Sequence, residues 1–151
     1  MSLVFTETLR GSYFLVDAPD DVRVCEVQVV VHLSRPRALV RRVDGPISGS
    51  ATFAGLATHA PIEGALRVET VRPRRVSYEF VFATTQGKTR CFRGAKHPSM
   101  MRPLYSATTL WGSLFDGDRA IAMVSLHFDL RRDLVAFLQS VEREANGSET
   151  E

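Results

Sequence analysis

The stretch VRVCEVQVVVHLS, residues 22–34, alternates apolar and polar side chains with a period of two. One parity is apolar throughout and the other carries the polar side chains, so the two sets are Cys25, Val27, Val29, Val31 and Leu33 against Glu26, Gln28 and His32. Successive side chains of a β-strand point to opposite faces, whereas a helix repeats about every 3.6 residues. The stretch therefore predicts a half-buried strand and indicates a β-sheet fold.

Further segments on either side of this strand have the composition and turn boundaries of strands. They cover residues 3–9, 47–55, 64–71, 75–84, 88–95, 104–115 and 119–130. Two of the connections, TTQGK at 84–88 and FDGDR at 115–119, place a glycine where a tight reversal requires a positive φ. Neighbouring segments are therefore expected to pair as hairpins in an antiparallel meander.

The fold class predicted from this pattern is mainly β, an antiparallel barrel of eight to nine strands like that of a lipocalin. Closure removes the strand edges that a flat sheet would expose, and a barrel of about eight strands can hold one small ligand. Glycines inside strand segments, such as Gly49 and Gly64, weaken β-structure unless the strand must bend or leave space. We therefore expect a curved barrel with some room inside.

One segment has helical rather than strand periodicity. In RDLVAFLQSVEREAN, residues 132–146, apolar side chains recur at intervals of three or four: Leu134, Phe137, Leu138, Val141 and Ala145. Asp133 suits the first turn of such a helix. We expect a C-terminal α-helix that packs on the barrel, with residues 1–146 as one domain and residues 147–151 as a disordered polar tail.

Bulk composition argues against several function classes. The 151 residues are 44% hydrophobic and 24% charged, with a net charge of +2, which is ordinary for one globular domain. The basic residues are scattered, so nucleic-acid binding is not expected. The sequence has no run long enough for a membrane span and no signal-peptide pattern at its start, which predicts a cytoplasmic protein.

Cysteine and histidine usage predicts no metal site, and no motif calls for a cofactor. Cys25 and Cys91 lie in apolar strand segments without CxxC spacing, so both are expected to be reduced and buried. The four histidines are far apart in the sequence and lack metal-ligand spacing. An acid–base pair of His32 or His127 with Glu7 or Glu26 is a chemical alternative that depends on proximity in the fold.

Aromatic and small polar side chains share one face on two predicted strands. In RVSYEFVFAT this face carries Tyr78 and Phe80, and in LYSATTLWGSLF it carries Tyr105, Thr109 and Trp111. A plain core face explains the first set, although the Tyr78 hydroxyl would also suit a ligand cavity. The mixed second set suits a cavity wall, and we expect it to face inward because an exposed Trp111 would forgo the burial of a large apolar surface.

Basic side chains cluster in CFRGAKHP, the sequence that follows the TTQGK turn. A solvated hairpin explains Arg93, Lys96 and His97, and so does a basic rim that binds a carboxylate or phosphate head group above an apolar barrel. His127 is either a solvent-side residue or a polar group inside the barrel. The predicted ligand-binding set is Tyr78, Phe80, Arg93, Lys96, His97, Tyr105, Thr109, Trp111 and His127.

Four stretches of the chain also carry a family resemblance. They are FTETLRG at 5–11, GSATFAGLATHAPIEGALRV at 49–68, VSYEFVFATTQGKTRCFRGAKHP at 76–98 and LYSATTLWGSLFDG at 104–117. In this order they resemble a small domain of multidomain proteins that join a GMC-type, cholesterol-oxidase-like flavoenzyme to an α/β-hydrolase region. The resemblance implies a lipocalin-like accessory module near sterol or lipid chemistry. The chain has neither GxGxxG nor GxSxG, so it is neither of those enzymes.

These observations leave three functions open. The first is a barrel that binds a small hydrophobic, lipid- or sterol-like molecule and serves an oxidoreductase or hydrolase. The second is a cofactor-free cyclase or isomerase that acts on a hydrophobic substrate inside the barrel. The third is an interaction domain with a filled barrel. The expected partners are a small hydrophobic molecule together with a second copy of the chain or a partner enzyme.

Overall fold

The structure, a computed structural model, describes residues 2–34, 42–69, 75–96 and 109–127. These residues form eight β-strands in sequence order: β1 (Ser2–Leu15), β2 (Arg23–Ser34), β3 (Arg42–Phe53), β4 (Ala57–Glu69), β5 (Arg75–Ala83), β6 (Thr89–Lys96), β7 (Thr109–Asp116) and β8 (Arg119–His127). Each strand pairs antiparallel with the next, and β8 pairs with β1 to close a barrel. The predicted antiparallel barrel is confirmed. The helix predicted at 132–146 lies outside the described residues.

The strand that first indicated the fold, β2, has the predicted faces. Its inward side chains are buried, namely Cys25, Val27, Val29, Val31 and Leu33. Gln28 and His32 on the other parity are exposed. β2 is paired along its length with β1, from Ser2 opposite Ser34 to Tyr13 opposite Arg23. The alternation places one apolar stripe of the barrel core and one solvated stripe on the same strand.

Four short turns lie at one end of the barrel, which we call the hairpin end. They connect β1 to β2, β3 to β4, β5 to β6 and β7 to β8. In the turn at 84–88, the Thr84 amide donates to the Lys88 carbonyl at 2.8 Å, and Gly87 has a φ of 78°. Gly117 has a φ of 61° in the last turn. The two reversals predicted from TTQGK and FDGDR are therefore confirmed, and β1 begins and β8 ends at the opposite end of the barrel.

A group of stacked rings fills the hairpin end, and we call it the aromatic plug: Tyr13, Phe53, Phe80, Phe82 and Phe92. The Phe53 and Phe82 rings are stacked with centroids 5.2 Å apart, and Tyr13 meets Phe53 edge-on at 5.3 Å. Phe80 stacks on Phe92 at 4.9 Å. The Tyr13 hydroxyl donates to the Ala54 carbonyl, so the one polar tip of the plug has a partner. Ring pairs of this geometry stabilise the fold by more than the burial of their apolar area alone.

Inward-facing glycines give the barrel its curvature and make room for the plug. Gly49 in β3 has a φ of 132°, and a Cβ at this position would collide with the Gln28 carbonyl oxygen of β2. A Cβ on Gly94 would lie 2.6 Å from Cζ of Phe92. Neighbouring atoms therefore leave no space for a side chain at either position. At Gly94 the space that a side chain would fill is occupied by an aromatic ring of the same strand.

Candidate functional site

The structure places the predicted ligand-binding residues on two different faces of the barrel. Tyr78 and Phe80 point inward and are buried, and Phe80 belongs to the aromatic plug. Trp111 points outward and is 67% exposed, and Thr109 shares its parity on β7. The prediction that the Tyr105/Trp111 face lines the interior is therefore wrong for Trp111. Tyr105 itself lies outside the described residues.

The inner face of β7 explains why Trp111 is excluded from the interior. Leu110 and Leu114 are fully buried on that face. Between them a Cβ on Gly112 would lie 2.8 Å from a ring carbon of Phe92. Shifting the strand by one residue would expose two leucines and press Trp111 against a ring that already fills the space. The smaller residues of β7, Leu110, Gly112 and Leu114, therefore face the interior.

The basic residues do not form a rim over the interior where the structure describes them. Arg93 is on the outer face, with Nε 3.4 Å from Oε1 of Glu79 and its guanidinium 5.1 Å from the centre of the Phe115 ring. Lys96 is the last residue of β6 and pairs through its backbone with Val76. His97 lies outside the described residues. The basic-rim prediction is therefore wrong for Arg93.

The histidines near the strand ends also face outward. His127 is exposed, and its Nδ1 lies 3.2 Å from the Thr109 hydroxyl on the outer face. His32 is exposed on the outer face of β2. Glu7 lies on the inner face of β1, so the barrel wall separates its carboxylate from both rings. The hypothesis of an acid–base pair of Glu7 with His32 or His127 is therefore wrong.

A carboxylate and a phenol are instead buried together inside the barrel, and we call Glu7 and Tyr78 the polar pair. Glu7 is 7% exposed and Tyr78 is 2% exposed. Burial raises the pKa of Tyr78, and the nearby negative charge of Glu7 raises this pKa further. Tyr78 is therefore a neutral phenol at physiological pH. Thr84 in a turn and the phenol of Tyr13, whose hydroxyl donates to the Ala54 carbonyl, are also buried.

The walls around the polar pair are apolar, and their register follows from the strand alternation. Glu7 is paired with Val29 across β1 and β2. Tyr78 is paired with Leu66 on one side and Gly94 on the other. A buried carboxylate in such surroundings carries a desolvation cost, which makes the pair a candidate for function rather than for packing.

Local alternation in the sequence contains a signal for the inward position of Glu7. In FTETL the carboxylate has the same parity as Leu9, which is a core residue. An acidic side chain at an apolar position of a period-two pattern is a candidate inward residue. Tyr78, the partner of Glu7 on β5, could not be identified in this way, because local alternation does not indicate which distant strands lie close together.

The two cysteines are free thiols and differ in exposure. Cys25 is buried, and burial raises the pKa of its thiol to about 12. Cys91 lies on the outer face of β6 and is half-buried, so its predicted full burial is wrong. Burial and the neighbouring Glu79 both raise the pKa of the Cys91 thiol. Neither thiol is therefore activated as a nucleophile.

A groove of about 490 Å³ crosses the outer face of the barrel from β4 to β8, and we call it the outer groove. Residues on its walls include Arg67, Glu79, Arg93, Ala95, Trp111 and Met123. Arg93 and Trp111, which were predicted to share one site, do come together here. They meet on the outside of the barrel and not at its interior.

The described residues were searched for metal-binding side chains and for membrane-spanning helices. Within the described ranges, no group of three or more His, Cys, Asp or Glu side chains is arranged to hold a metal ion. The same ranges contain no helix with the length and apolarity needed to cross a membrane.

Comparison of the chain with protein-family models, curated proteins and solved structures found no match. The resemblance to the small domain of GMC-type multidomain proteins stays a prediction.

Proposed function

We propose that the barrel binds a small hydrophobic, lipid- or sterol-like molecule in the part of its interior around the polar pair. The observation that carries this proposal is the burial of Glu7 and Tyr78 together inside an apolar wall. Burying a carboxylate costs free energy that an apolar side chain of similar size would not cost. Pockets that bind such ligands are mostly apolar and contain a few polar groups that fix orientation.

The position of the polar pair supports entry from the end opposite the aromatic plug. The plug occupies the hairpin end, where Tyr13, Phe53 and Phe82 are packed ring against ring. Tyr78 is the fourth residue of β5, and that strand begins at the opposite end with Arg75. A ligand therefore meets the polar pair before it meets the plug.

The charges favour a neutral ligand over an anion. Tyr78 keeps its proton because its pKa is raised, so its hydroxyl is a donor, and the Glu7 carboxylate is an acceptor. The guanidinium of Arg93 lies on the outer face and does not offset a negative charge inside. The ligand class is therefore an apolar alcohol or ketone rather than the carboxylate that a basic rim would bind.

The test compares a steroid alcohol with a carboxylate of the same ring system by calorimetry. We expect tighter binding of the alcohol, and a loss of about five- to tenfold in affinity for Tyr78→Phe or Glu7→Gln, the size of one hydrogen bond. Glu79→Gln is the matched control, since Glu79 neighbours Tyr78 on β5 but faces outward. Equal affinity for the two ligands, or no saturable binding of either, would contradict the proposal and favour a filled interaction domain.

A second candidate function is a cofactor-free cyclase or isomerase that uses the same polar pair. The observation that favours it is that the polar pair combines a proton acceptor with a neutral proton donor in a desolvated site. The ligand recovered after incubation distinguishes the two functions. A product of unchanged mass but altered chromatographic retention, absent with Glu7→Gln, would establish catalysis, whereas unchanged ligand would leave binding.

A further inference from the structure

The outer groove contains large apolar side chains that are exposed. Trp111 is 67% exposed and Met123 is 44% exposed, and both lie on its wall. Trp111 is the single tryptophan of the chain. Contiguous exposed apolar surface of this kind marks an interaction site.

The charged residues of the groove argue against a small anion as its occupant. Nε of Arg67 lies 3.2 Å from Oδ1 of Asp44, and Nε of Arg93 lies 3.4 Å from Oε1 of Glu79. Each guanidinium thus already has an acidic neighbour. An occupant must cover the apolar wall formed by Trp111 on β7 and Met123 on β8, which lies beyond both ion pairs, rather than supply a single negative charge.

We propose that residues 132–146 of this chain form an amphipathic helix that packs across the outer groove. The apolar stripe of the segment would contact Trp111 and Met123, and it consists of Leu134, Phe137, Leu138, Val141 and Ala145. This inference concerns the outside of the barrel and does not depend on the function proposed for its interior.

The length of the chain beyond β8 supports this occupant. β8 ends at His127, and Ser125 of β8 is paired with Trp111, so the chain leaves the barrel beside the groove. The five peptide units from His127 to Arg132 span up to about 17 Å when extended, which exceeds three strand spacings of about 4.8 Å and is enough to turn back over the outer face. A helix of 15 residues is about 22 Å long, and five adjacent strands are about 19 Å across.

The test uses Trp111 fluorescence in the full chain, because no other tryptophan contributes to the signal. We expect blue-shifted emission and slow acrylamide quenching in the native protein. Leu138→Ser, on the stripe, should shift the emission to the red and raise the quenching rate several-fold. The matched control Gln139→Ser, on the opposite side of the helix, introduces the same residue and should change neither.

A second measurement keeps the proposal testable if Leu138→Ser fails to fold. Cysteines introduced by Met123→Cys and Phe137→Cys, in a Cys91→Ser background, should form an intramolecular disulfide under mild oxidation. Rapid Trp111 quenching in the native chain, or disulfides formed only between chains, would overturn the proposal. Emission that changes with protein concentration would also overturn it, since a second copy would then cover the groove.

Discussion

The two ends of the barrel are built from different chemistry. At the hairpin end, Phe53 of β3 and Phe82 of β5 stack beside the short turns, and Tyr13 closes the group with a hydroxyl that has a backbone partner. Farther toward the opposite end, the interior instead contains the Glu7 carboxylate beside the Tyr78 phenol. Tight ring packing stabilises a fold, whereas a buried carboxylate opposes it. The comparison predicts that the hairpin end contributes most of the stability and that the polar pair, where we propose that a ligand binds, contributes little.

The largest expected effect is the loss of the plug. Phe53 is fully buried and contacts both Tyr13 and Phe82, so Phe53→Ala should lower the free energy of unfolding by about 3–5 kcal/mol. Urea denaturation would measure this loss. Val81→Ala is the control, because Val81 is 44% exposed on β5 and should change stability by less than about 0.5 kcal/mol. Similar losses in both variants would mean that the plug is not the main source of stability.

The polar pair should respond in the opposite direction. Glu7→Leu combined with Tyr78→Phe replaces both buried polar groups with apolar side chains of similar size, and we expect the free energy of unfolding to rise by about 1–2 kcal/mol. Glu63→Leu on the exposed face of β4 is the matched control and should have little effect on stability. A clear loss of stability in the double variant would assign the polar pair a structural role and end the contrast between the two ends.

The strands could be predicted because alternation is a local property of the chain. In β2, Cys25 and Val27 begin an apolar parity that continues to Leu33, and all of these side chains are buried. The turns at Gly87 and Gly117 were equally local, since each needs only a residue that accepts a positive φ. Closure of the barrel followed from the number of such strands.

The site could not be predicted to the same degree, because its geometry depends on contacts between distant strands. Both parities of β7 carry apolar residues, and local pattern alone does not choose between Trp111 and Leu110. The Phe92 ring, which comes from β6, decides the choice by filling the space at Gly112. The neighbourhood of Glu7 and Tyr78 likewise arises only when the sheet closes.

The pH dependence of stability tests whether water is excluded from the hairpin end. Cys25 lies beside the plug, paired with Phe53, and burial raises the pKa of its thiol from the usual 9.0 to about 12. The unfolded chain ionises this thiol first, so its contribution to stability is complete below pH 9 and is lost as the pH rises toward 12. Between these limits one thiol contributes a slope of about −1.4 kcal/mol per pH unit.

Cys25→Ala should remove that slope from the pH dependence of urea unfolding. Cys91→Ala is the control, since its half-buried thiol lies on the outer face and should alter the slope less. If both variants retained the wild-type slope, water would have access to Cys25, and the hairpin end would not be the dry region described here.

The smallest expected effect compares one exposed ion pair near each end. Near the hairpin end, two guanidinium nitrogens of Arg23 lie 2.8 and 3.0 Å from Oδ2 of Asp21, and a third lies 3.5 Å from the Ala54 carbonyl. Toward the other end, Nε of Arg67 lies 3.2 Å from Asp44, and both side chains are about half exposed. Asp21→Asn should cost about 0.5–1 kcal/mol, and Asp44→Asn should cost about 0.2–0.5 kcal/mol. Both losses should shrink in 1 M salt, where screening acts over about 3 Å. A larger loss for Asp44→Asn would show that surface charges do not follow the asymmetry of the interior.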